Sequence, residues 1–218
     1  SSGSSTSVLV FNYTVVEGHS SGDLDYVASN SLNLNGGTIK DSVGNNVITT
    51  LAEPGATNSL GANKAIVVDG VKPTVSNVTS TKADGSYNAN DEIVIQVVFS
   101  ETVVVTGTPQ LTLETGTNDA VVNYTSLSNT NETNDTMNFT YTVSQANSHT
   151  SSDLEYVNTN SLTLNSGTIK DVAGNNATLI LPTIGGGNSL SDNKAIIIDT
   201  TAPSILNVTS NTSDATYK

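Results

Sequence analysis

The sequence predicts an all-β protein made of β-sandwich domains in tandem, and three observations carry this prediction. Apolar and polar residues alternate along several short segments, which is the period of a half-buried strand. Clusters of Gly, Asn and Asp separate these segments at short intervals, as turns between strands require. A long part of the sequence also recurs after about 130 residues, which is the length of a whole domain rather than of a solenoid repeat.

The predicted strands are short and rich in β-branched residues, which favour strands. The inward-facing residues of the three longest are Ile93, Ile95, Val97 and Phe99 in residues 91–100, Leu111 and Leu113 in residues 109–115, and Met137, Phe139, Tyr141 and Val143 in residues 136–143. Shorter strands are predicted at 161–165, 177–182 and 194–199, and no amphipathic helix is predicted. About eight or nine strands in each period predict a β-sandwich, with an aliphatic and Tyr-based core because Trp is absent.

The internal repeat can be read directly from the letters. Residues 23–46 (DLDYVASNSLNLNGGTIKDSVGNN) return as 153–176 (DLEYVNTNSLTLNSGTIKDVAGNN), and 58–69 return as 188–199 at the same offset. The upstream segment VFNYTV returns as NFTYTV at a slightly shorter offset, so the loop that follows differs in length. Such a long period indicates tandem duplication of a domain.

The phase of the repeat predicts three segments. Residues 73–202 form one complete domain, residues 1–72 match the C-terminal part of a preceding domain, and residues 203–218 match the first strand of a following one. We therefore expect the chain to be a segment of a longer array. The alternative is a subunit that lends strands to a neighbour, because incomplete sheets have unpaired edges that invite association.

Composition excludes several classes of partner and site. Lys and Arg number 7 against 20 Asp and Glu, a net charge of −13, which argues against binding to nucleic acid or to anionic membrane surfaces. There is no Cys, so disulfides and thiolate metal sites are excluded. No apolar run approaches the ~20 residues of a membrane span. A surface of hydroxyls, amides and sparse acids is typical of an extracellular or cell-surface protein.

Two motifs resemble a known family. Residues 93–103 (IVIQVVFSETV) and 168–179 (TIKDVAGNNATL) resemble bacterial immunoglobulin-like repeat domains, in which an early strand ends in Phe-Ser-Glu and a late hairpin carries Asp-x-Ala-Gly-Asn. The frame 84–116, with NKAIIIDTTAP, is similar to the cadherin-like, SwmB-type repeats of giant bacterial surface proteins and adhesins. The resemblance implies Ig-like (cadherin-like) sandwiches in a stalk, commonly stiffened by calcium. The first linker, DGVKP, departs from the Asp-Thr-Thr-Ala-Pro of the second.

Acidic residues are concentrated where successive sandwiches would meet. The loop 83–92 (ADGSYNANDE) offers many oxygens, and Ca²⁺ takes about 6–8 of them from carboxylates, amides and carbonyls. Carboxylates that converge at a junction repel one another without a cation. The predicted ligands are Asp69, Asp84, Asp91 and Glu101 at the first junction and Asp199 in the linker to the next, with Asp214 repeating Asp84. The alternative for such a loop is turn chemistry and solvated charge.

Two further motifs occur once in each copy. KDVAGNN (170–176) predicts a hairpin turn in which Asp accepts backbone N–H groups and Gly supplies positive φ, with metal ligation by Asp171 and Asn175 as the alternative. HTSSDLEY (149–156) predicts a loop in which His bonds the backbone, and the alternative is a second calcium site at Asp153 and Glu155, or at their equivalents Asp23 and Asp25. One His in each copy is too few for zinc.

The leading functional hypothesis is a spacer of an extracellular surface protein, adhesin or filament, made rigid by Ca²⁺ at its junctions. Its partners would be neighbouring repeats of the same chain. The alternatives are an adhesion module that binds carbohydrate or protein, with a host or surface ligand as partner, and a strand-exchanging filament subunit that pairs with identical chains. Catalysis is not predicted, because both His residues occupy equivalent places in a repeat and no phosphate-binding loop opens a helix.

Overall fold

The chain divides into two compact units. The computed structural model describes residues 6–130, 133–216 and 218. The first unit (unit 1) comprises residues 1–72 and 173–175, and the second (unit 2) comprises residues 73–172 and 176–218. Residues 1–5 of the first predicted segment and residue 217 of the third lie outside the described residues. Within those residues the fold is all-β apart from two single-turn helices, which confirms the all-β part of the predicted fold class.

Unit 1 contains three short elements within its described residues. They are β1 (Ser20–Ser21), α1 (Leu60–Asn63) and β2 (Val68–Asp69). The strands β1 and β2 pair antiparallel with Ser20 opposite Asp69. Helix α1 begins after Ser59, whose hydroxyl oxygen accepts a hydrogen bond from the Ala62 N–H at 3.1 Å, as an N-cap does.

Unit 2 contains twelve strands and one helix within its described residues. They are β3 (Val75–Ser80), β4 (Gly85–Tyr87), β5 (Glu92–Phe99), β6 (Val104–Thr106), β7 (Gln110–Glu114), β8 (Ala120–Thr130), β9 (Thr133–Thr142), β10 (Thr150–Ser151), β11 (Glu155–Tyr156), β12 (Leu162–Thr163), β13 (Thr168–Lys170), α2 (Leu190–Asn193) and β14 (Ile196–Asp199). The count exceeds the predicted eight or nine because several strands have only two or three residues. Among the described residues, neither helix is long and apolar enough to cross a membrane.

The strands of unit 2 form three sheets that share one apolar core. The largest has the order β11-β7-β8-β9-β5-β3, with β12 also paired to β7. A second sheet has the order β10-β14-β4, in which β14 and β4 are parallel, and β6 pairs with β13. The core draws buried residues from the first two sheets and from β13, in a sandwich-like arrangement.

The alternation predicted for the long strands is confirmed. Ile93, Ile95, Val97 and Phe99 of β5 are all buried. So are Leu111 and Leu113 of β7, and the predicted set from Met137 to Val143 at β9. Period-2 patterning succeeds here because β5 pairs with both β3 and β9, which fixes the face that each side chain takes.

The strand predicted at 177–182 is not regular in the structure. Its N–H groups donate in turn to three separate segments: Ala177 to the Ile169 carbonyl, Thr178 to Pro73, and Leu181 to Thr159. Burial still alternates along it, with Leu181 buried. The local pattern therefore gave the correct faces, but the segment changes partner too often to form one ladder.

Equivalent residues of the two copies differ in burial. Leu190 and Ile196 are completely buried in unit 2, whereas their counterparts Leu60 and Ile66 are 37% and 39% exposed in unit 1. The described residues of unit 1 align only with the part of unit 2 from β9 onward, so they have no counterparts of β3 to β8. Those strands supply much of the core in unit 2.

Candidate metal and linker sites

The aspartates at the two linkers make the same turn. Asp69 ends β2 and its Oδ1 accepts a hydrogen bond from the Val71 N–H at 3.0 Å. Asp199 ends β14 and its Oδ1 accepts from the Thr201 N–H at 2.8 Å. A carboxylate that bonds the N–H two residues further on forms an Asx turn. Each predicted linker ligand therefore accepts a backbone hydrogen bond, a role that was not predicted from the sequence.

The predicted ligands of the loop before β5 are held by different backbone groups. Asp84 Oδ1 accepts from the Ala195 N–H at 3.1 Å, at the start of β14. Asp91 Oδ2 accepts from the Asn88 N–H at 2.8 Å and closes a turn within the loop. Asn88 also lines a surface cavity of about 410 Å³ together with Asp199. The loop therefore provides turn chemistry first, and its two carboxylates are anchored separately.

An acidic patch in unit 2 joins residues that the sequence assigned to separate sites. Partial loss of hydration raises the pKa of Asp153, and the negative charges of Glu155, Asp84 and Asp192 raise it further, against an N–H bond from Ile196. Carboxylates whose negative charges raise the pKa of a neighbouring carboxyl group form a field that favours a cation. The negative charges of Asp84 and Glu155 therefore act on the same carboxyl group, that of Asp153. Sequence spacing could not show this, because the residues come from distant parts of the chain.

Glu155 has extensive internal partners. It is buried, and its carboxylate accepts hydrogen bonds from the N–H groups of Tyr156 at 3.0 Å, Leu190 at 3.3 Å and Ser191 at 3.0 Å. The Ser191 hydroxyl adds a fourth at 2.8 Å. The negative charge thereby satisfies the free N–H groups at the start of α2. This anchoring role was not predicted, and calcium ligation by Asp153 and Glu155 stays a prediction.

A second pair of carboxylates lies at Glu101 and Asp171. Ligand oxygens of the two residues lie within 4.8 Å of each other, and Asp171 is buried while Glu101 is half-buried. That separation suits two ligands of one cation. Glu101 was a predicted ligand and Asp171 an alternative one, and the structure brings these two together within unit 2.

The turn interpretation of the Asp-x-x-Gly-Asn motif is confirmed in the first copy. Asp41 Oδ1 accepts from the N–H groups of Val43 at 3.0 Å and Asn45 at 2.8 Å, and its Oδ2 accepts from the Asn45 amide at 2.8 Å. The hydrogen bond from the Asn45 side-chain amide makes the largest contribution to lowering the pKa of Asp41. Gly44 and Gly174 both have φ of 98°, so the same turn needs glycine in both copies.

Tyr141 and His149 form a buried hydrogen-bonded pair in unit 2. The Tyr141 hydroxyl lies 2.9 Å from His149 Nδ1, which also accepts the Ser144 N–H at 3.3 Å. Nδ1 is therefore the acceptor nitrogen and Nε2 carries the proton of a neutral ring. Burial lowers the pKa of His149 and raises the pKa of Tyr141 to about 12. His bonds the backbone here, as predicted for the loop.

This pair predicts a pH dependence with two limits. The folded pKa of His149 lies below its ordinary 6.5, so the unfolded chain takes up its proton first. The contribution of His149 to the free energy of unfolding is fully present above about pH 6.5. It is lost as the pH falls through the pKa of His149 in the folded state. Tyr141 acts at the other limit. Its contribution is complete below its ordinary pKa of 10.0 and is lost as the pH rises toward about 12.

Melting temperatures of the parent chain and of His149→Gln, measured by circular dichroism from about pH 5 to 8, test the acid limit. The difference between the two proteins should narrow as the pH falls. His19→Gln is the matched control, since His19 contacts Tyr13 at 2.7 Å in unit 1 but Tyr13 is exposed. If the melting temperatures of the parent chain and of His149→Gln changed in parallel with pH, His149 would not be the titrating group.

Comparison with family models, curated proteins and solved structures found no match to this chain.

Proposed function

We propose that this chain is a structural repeat, a spacer, of a large extracellular bacterial surface protein, adhesin or filament, and that calcium makes its interdomain junctions rigid. The observation that carries the proposal is the reuse of one set of local structures in both copies of the repeat. A spacer needs the same unit many times, and the two copies repeat the same turns, strand pairs and hydrogen bonds.

The repeated local structures are specific in their hydrogen bonds. Leu24 N–H donates to the Ile66 carbonyl at 2.8 Å, and Leu154 donates to Ile196 at 2.7 Å. The Tyr26 hydroxyl donates to the Ala52 carbonyl at 2.6 Å, and the equivalent bond joins Tyr156 and Pro182. Strand pairs recur as well, since Ser20 lies opposite Asp69 and Thr150 opposite Asp199. These matches support two copies of one domain type. The Ig-like class of that domain is part of the proposal and rests on the resemblance of the sequence motifs.

The main alternative is an adhesion module that binds carbohydrate or protein. A cavity of about 380 Å³ on unit 2 is lined by polar residues that include Asp119, Asn123 and Asn147. Its aromatic residue, Tyr141, is buried and provides no exposed platform for a sugar ring. A glycan array probed with the 218-residue chain distinguishes a spacer from an adhesion module. Specific binding to a glycan would favour the adhesion module.

The calcium part of the proposal is supported by two acidic groups within unit 2. One is the patch of Asp84, Asp153, Glu155 and Asp192, and the other is the pair of Glu101 and Asp171. A divalent cation would relieve the repulsion that raises the pKa of Asp153. The proposal includes the remaining candidate ligands because they lie at the linkers and in the loop before β5. They are Asp69, Asp91 and Asp199.

We expect calcium to raise the melting temperature and to increase the radius of gyration of the chain. A ligand at about 100 times its dissociation constant stabilises a folded state by about 2.7 kcal/mol. Melting curves and small-angle scattering with calcium and with EGTA measure both effects, and magnesium serves as the ion control.

The double variant Glu101→Gln/Asp171→Asn should lose most of the calcium response. Asp41→Asn is the matched control, because Asp41 occupies the place of Asp171 in the first copy. Identical melting curves and scattering profiles in calcium and in EGTA would refute the calcium proposal. The spacer proposal would then rest on the repeat alone.

A further inference from the structure

The largest sheet of unit 2 splits between two neighbouring strands. The pairing of β8 with β9 ends at Tyr124 and Phe139. Within the described residues, Ala120–Asn123 of β8 continue in pairing with β7 only, and residues 140–142 of β9 continue in pairing with β5 only. A cavity of about 380 Å³ is lined by both of these segments. We call this gap, between residues 120–123 and residues 140–142, the fork.

The backbone groups of β8 that face the fork follow from the pairing on its other side. In an antiparallel pair, the N–H and C=O groups of successive residues point alternately towards and away from the partner strand. The Tyr124 N–H donates to the Pro109 carbonyl at 2.8 Å, on the side of β7. By alternation, the backbone groups of Val122 also point towards β7, and those of Val121 and Asn123 point into the fork.

The same reasoning identifies the facing groups of β9. The Val143 N–H donates to the Asp91 carbonyl at 3.0 Å, on the side of β5. The backbone groups of Tyr141 therefore point towards β5 as well, and those of Thr140 and Thr142 point into the fork. Two strand edges thus face each other across the cavity, and within the described residues no strand lies between them.

The fork therefore meets the requirements of a strand-addition site. An unpaired edge is a template for another strand, and each extended residue advances about 3.3 Å, so about four residues would span the gap. Because β8 and β9 are antiparallel, an added strand would run antiparallel to one and parallel to the other. His149 also lines the cavity, and its Nε2 is buried without a hydrogen-bond partner. A peptide would bring carbonyl oxygens, the acceptors that such a donor needs.

Charge and space at the fork indicate which peptide would fit. Asp119 is exposed and is the one carboxylate among the residues that line the cavity, and the chain carries a net charge of −13. This field attracts cationic peptides and repels acidic ones. Tyr141 and His149 are buried and line the cavity. A side chain that points inward from the added strand therefore has to be small, and basic side chains have to point outward.

We propose that the fork binds an extended basic peptide of another protein by strand addition between β8 and β9. The main chain of the peptide bonds the backbone groups of Val121 and Asn123 on one side and of Thr140 and Thr142 on the other. A Lys or Arg side chain of the peptide pairs with Asp119. Main-chain bonds supply affinity, and alternate side chains supply specificity. This inference goes beyond the spacer function and does not depend on calcium.

The test is fluorescence anisotropy in EGTA, with the 218-residue chain and the labelled peptide Lys-Ala-Lys-Ala-Lys as the probe. We expect saturable binding at one site. The same peptide, N-methylated at both alanines, keeps its charge but lacks two N–H donors, so it should bind at least about tenfold more weakly. The acidic peptide Glu-Ala-Glu-Ala-Glu should not bind.

Two variants of the chain locate the site. Val121→Pro removes an N–H that faces the fork and not β7, and should weaken binding at least about fivefold. Val121→Thr keeps the N–H and is its control, since Val121 is largely exposed. Asp119→Asn should weaken binding about two- to fivefold, as for an exposed ion pair. Asp214→Asn makes the same charge change outside the fork and should leave binding unchanged.

Amide hydrogen exchange tests the geometry without any variant. In the free chain, the amides of Val121 and Asn123 should exchange faster than that of Val122, and the probe should slow them. Protection of Val121 and Asn123 in the free chain would mean that the fork is closed, and this result would overturn the proposal.

Three binding results would also overturn it. They are no binding of the probe, equal binding of the N-methylated peptide, which would reflect charge attraction alone, and equal binding by Val121→Pro. Sedimentation without the probe checks one other occupant, because a dimer that the probe dissociates would assign the fork to a second copy of the chain. Calcium-dependent melting is a separate readout, so failure here leaves the proposed function standing.

Discussion

Replacement of Phe139 by alanine is expected to lower the free energy of unfolding of unit 2 by about 3–5 kcal/mol. Phe139 is completely buried on β9, where it lies opposite Ile95 of β5 and opposite Tyr124 of β8. Its ring meets Tyr124 edge to face, with centroids 6.3 Å apart. The substitution removes the apolar surface that joins three strands and leaves a cavity that the paired backbones cannot close.

Phe11 provides the matched control within the same chain. It occupies the equivalent place in the first copy but is 66% exposed. Phe11→Ala should therefore change stability by no more than about 0.5 kcal/mol. Urea unfolding followed by circular dichroism measures both variants. Equal losses for the two would mean that Phe139 is not the core residue that its burial indicates.

The second large effect is expected from Gly167→Ala. A Cβ at this position would overlap the carbonyl oxygen of Thr106, on the strand that pairs with β13. Because the atom that the Cβ would meet is a backbone oxygen, no side chain can move to make room. The two strands must separate, so we expect a loss of about 3 kcal/mol, at the upper end of typical overpacking costs.

Gly37→Ala isolates the cause of this loss. A Cβ on Gly37 would meet the Leu34 carbonyl at 3.0 Å, just as one on Gly167 would meet the Leu164 carbonyl at 3.0 Å. The turns are equivalent, and the added contact with Thr106 is the difference. Hydrogen exchange measured peptide by peptide should show faster opening of β6 and β13 in Gly167→Ala. Comparable destabilisation of the 34–37 turn in Gly37→Ala would place the strain in the turn itself.

Alternation along the sequence predicted which face of each long strand is buried, as the residues of β5 and β9 show. It succeeded because successive side chains of a strand point to opposite sides, whatever the partner strand is. The same reasoning gave a regular strand at 177–182, where the structure has a segment that bonds three partners in turn. Pairing depends on distant segments, so local pattern does not decide it.

The candidate sites divide in the same way. Turn chemistry at Asp41 and Gly44 follows from a few neighbouring residues and was predicted. The association of Asp84 with Asp153, and of Glu101 with Asp171, arises only when distant strands pack together. The same is true of Glu155, whose partners at the start of α2 lie far away in the chain.

The sequence by itself determined the domain period, the all-β class, the inward faces of the long strands and the turn residues that recur in each copy. These features depend on local periodicity and on self-comparison of the chain. Tertiary structure decided what each repeated residue contacts. Leu60 and Leu190 stand in nearly identical segments, yet one is part-exposed and the other is completely buried. Burial depends on which other strands are present to cover a side chain, and that is a property of the assembled sheets rather than of the segment.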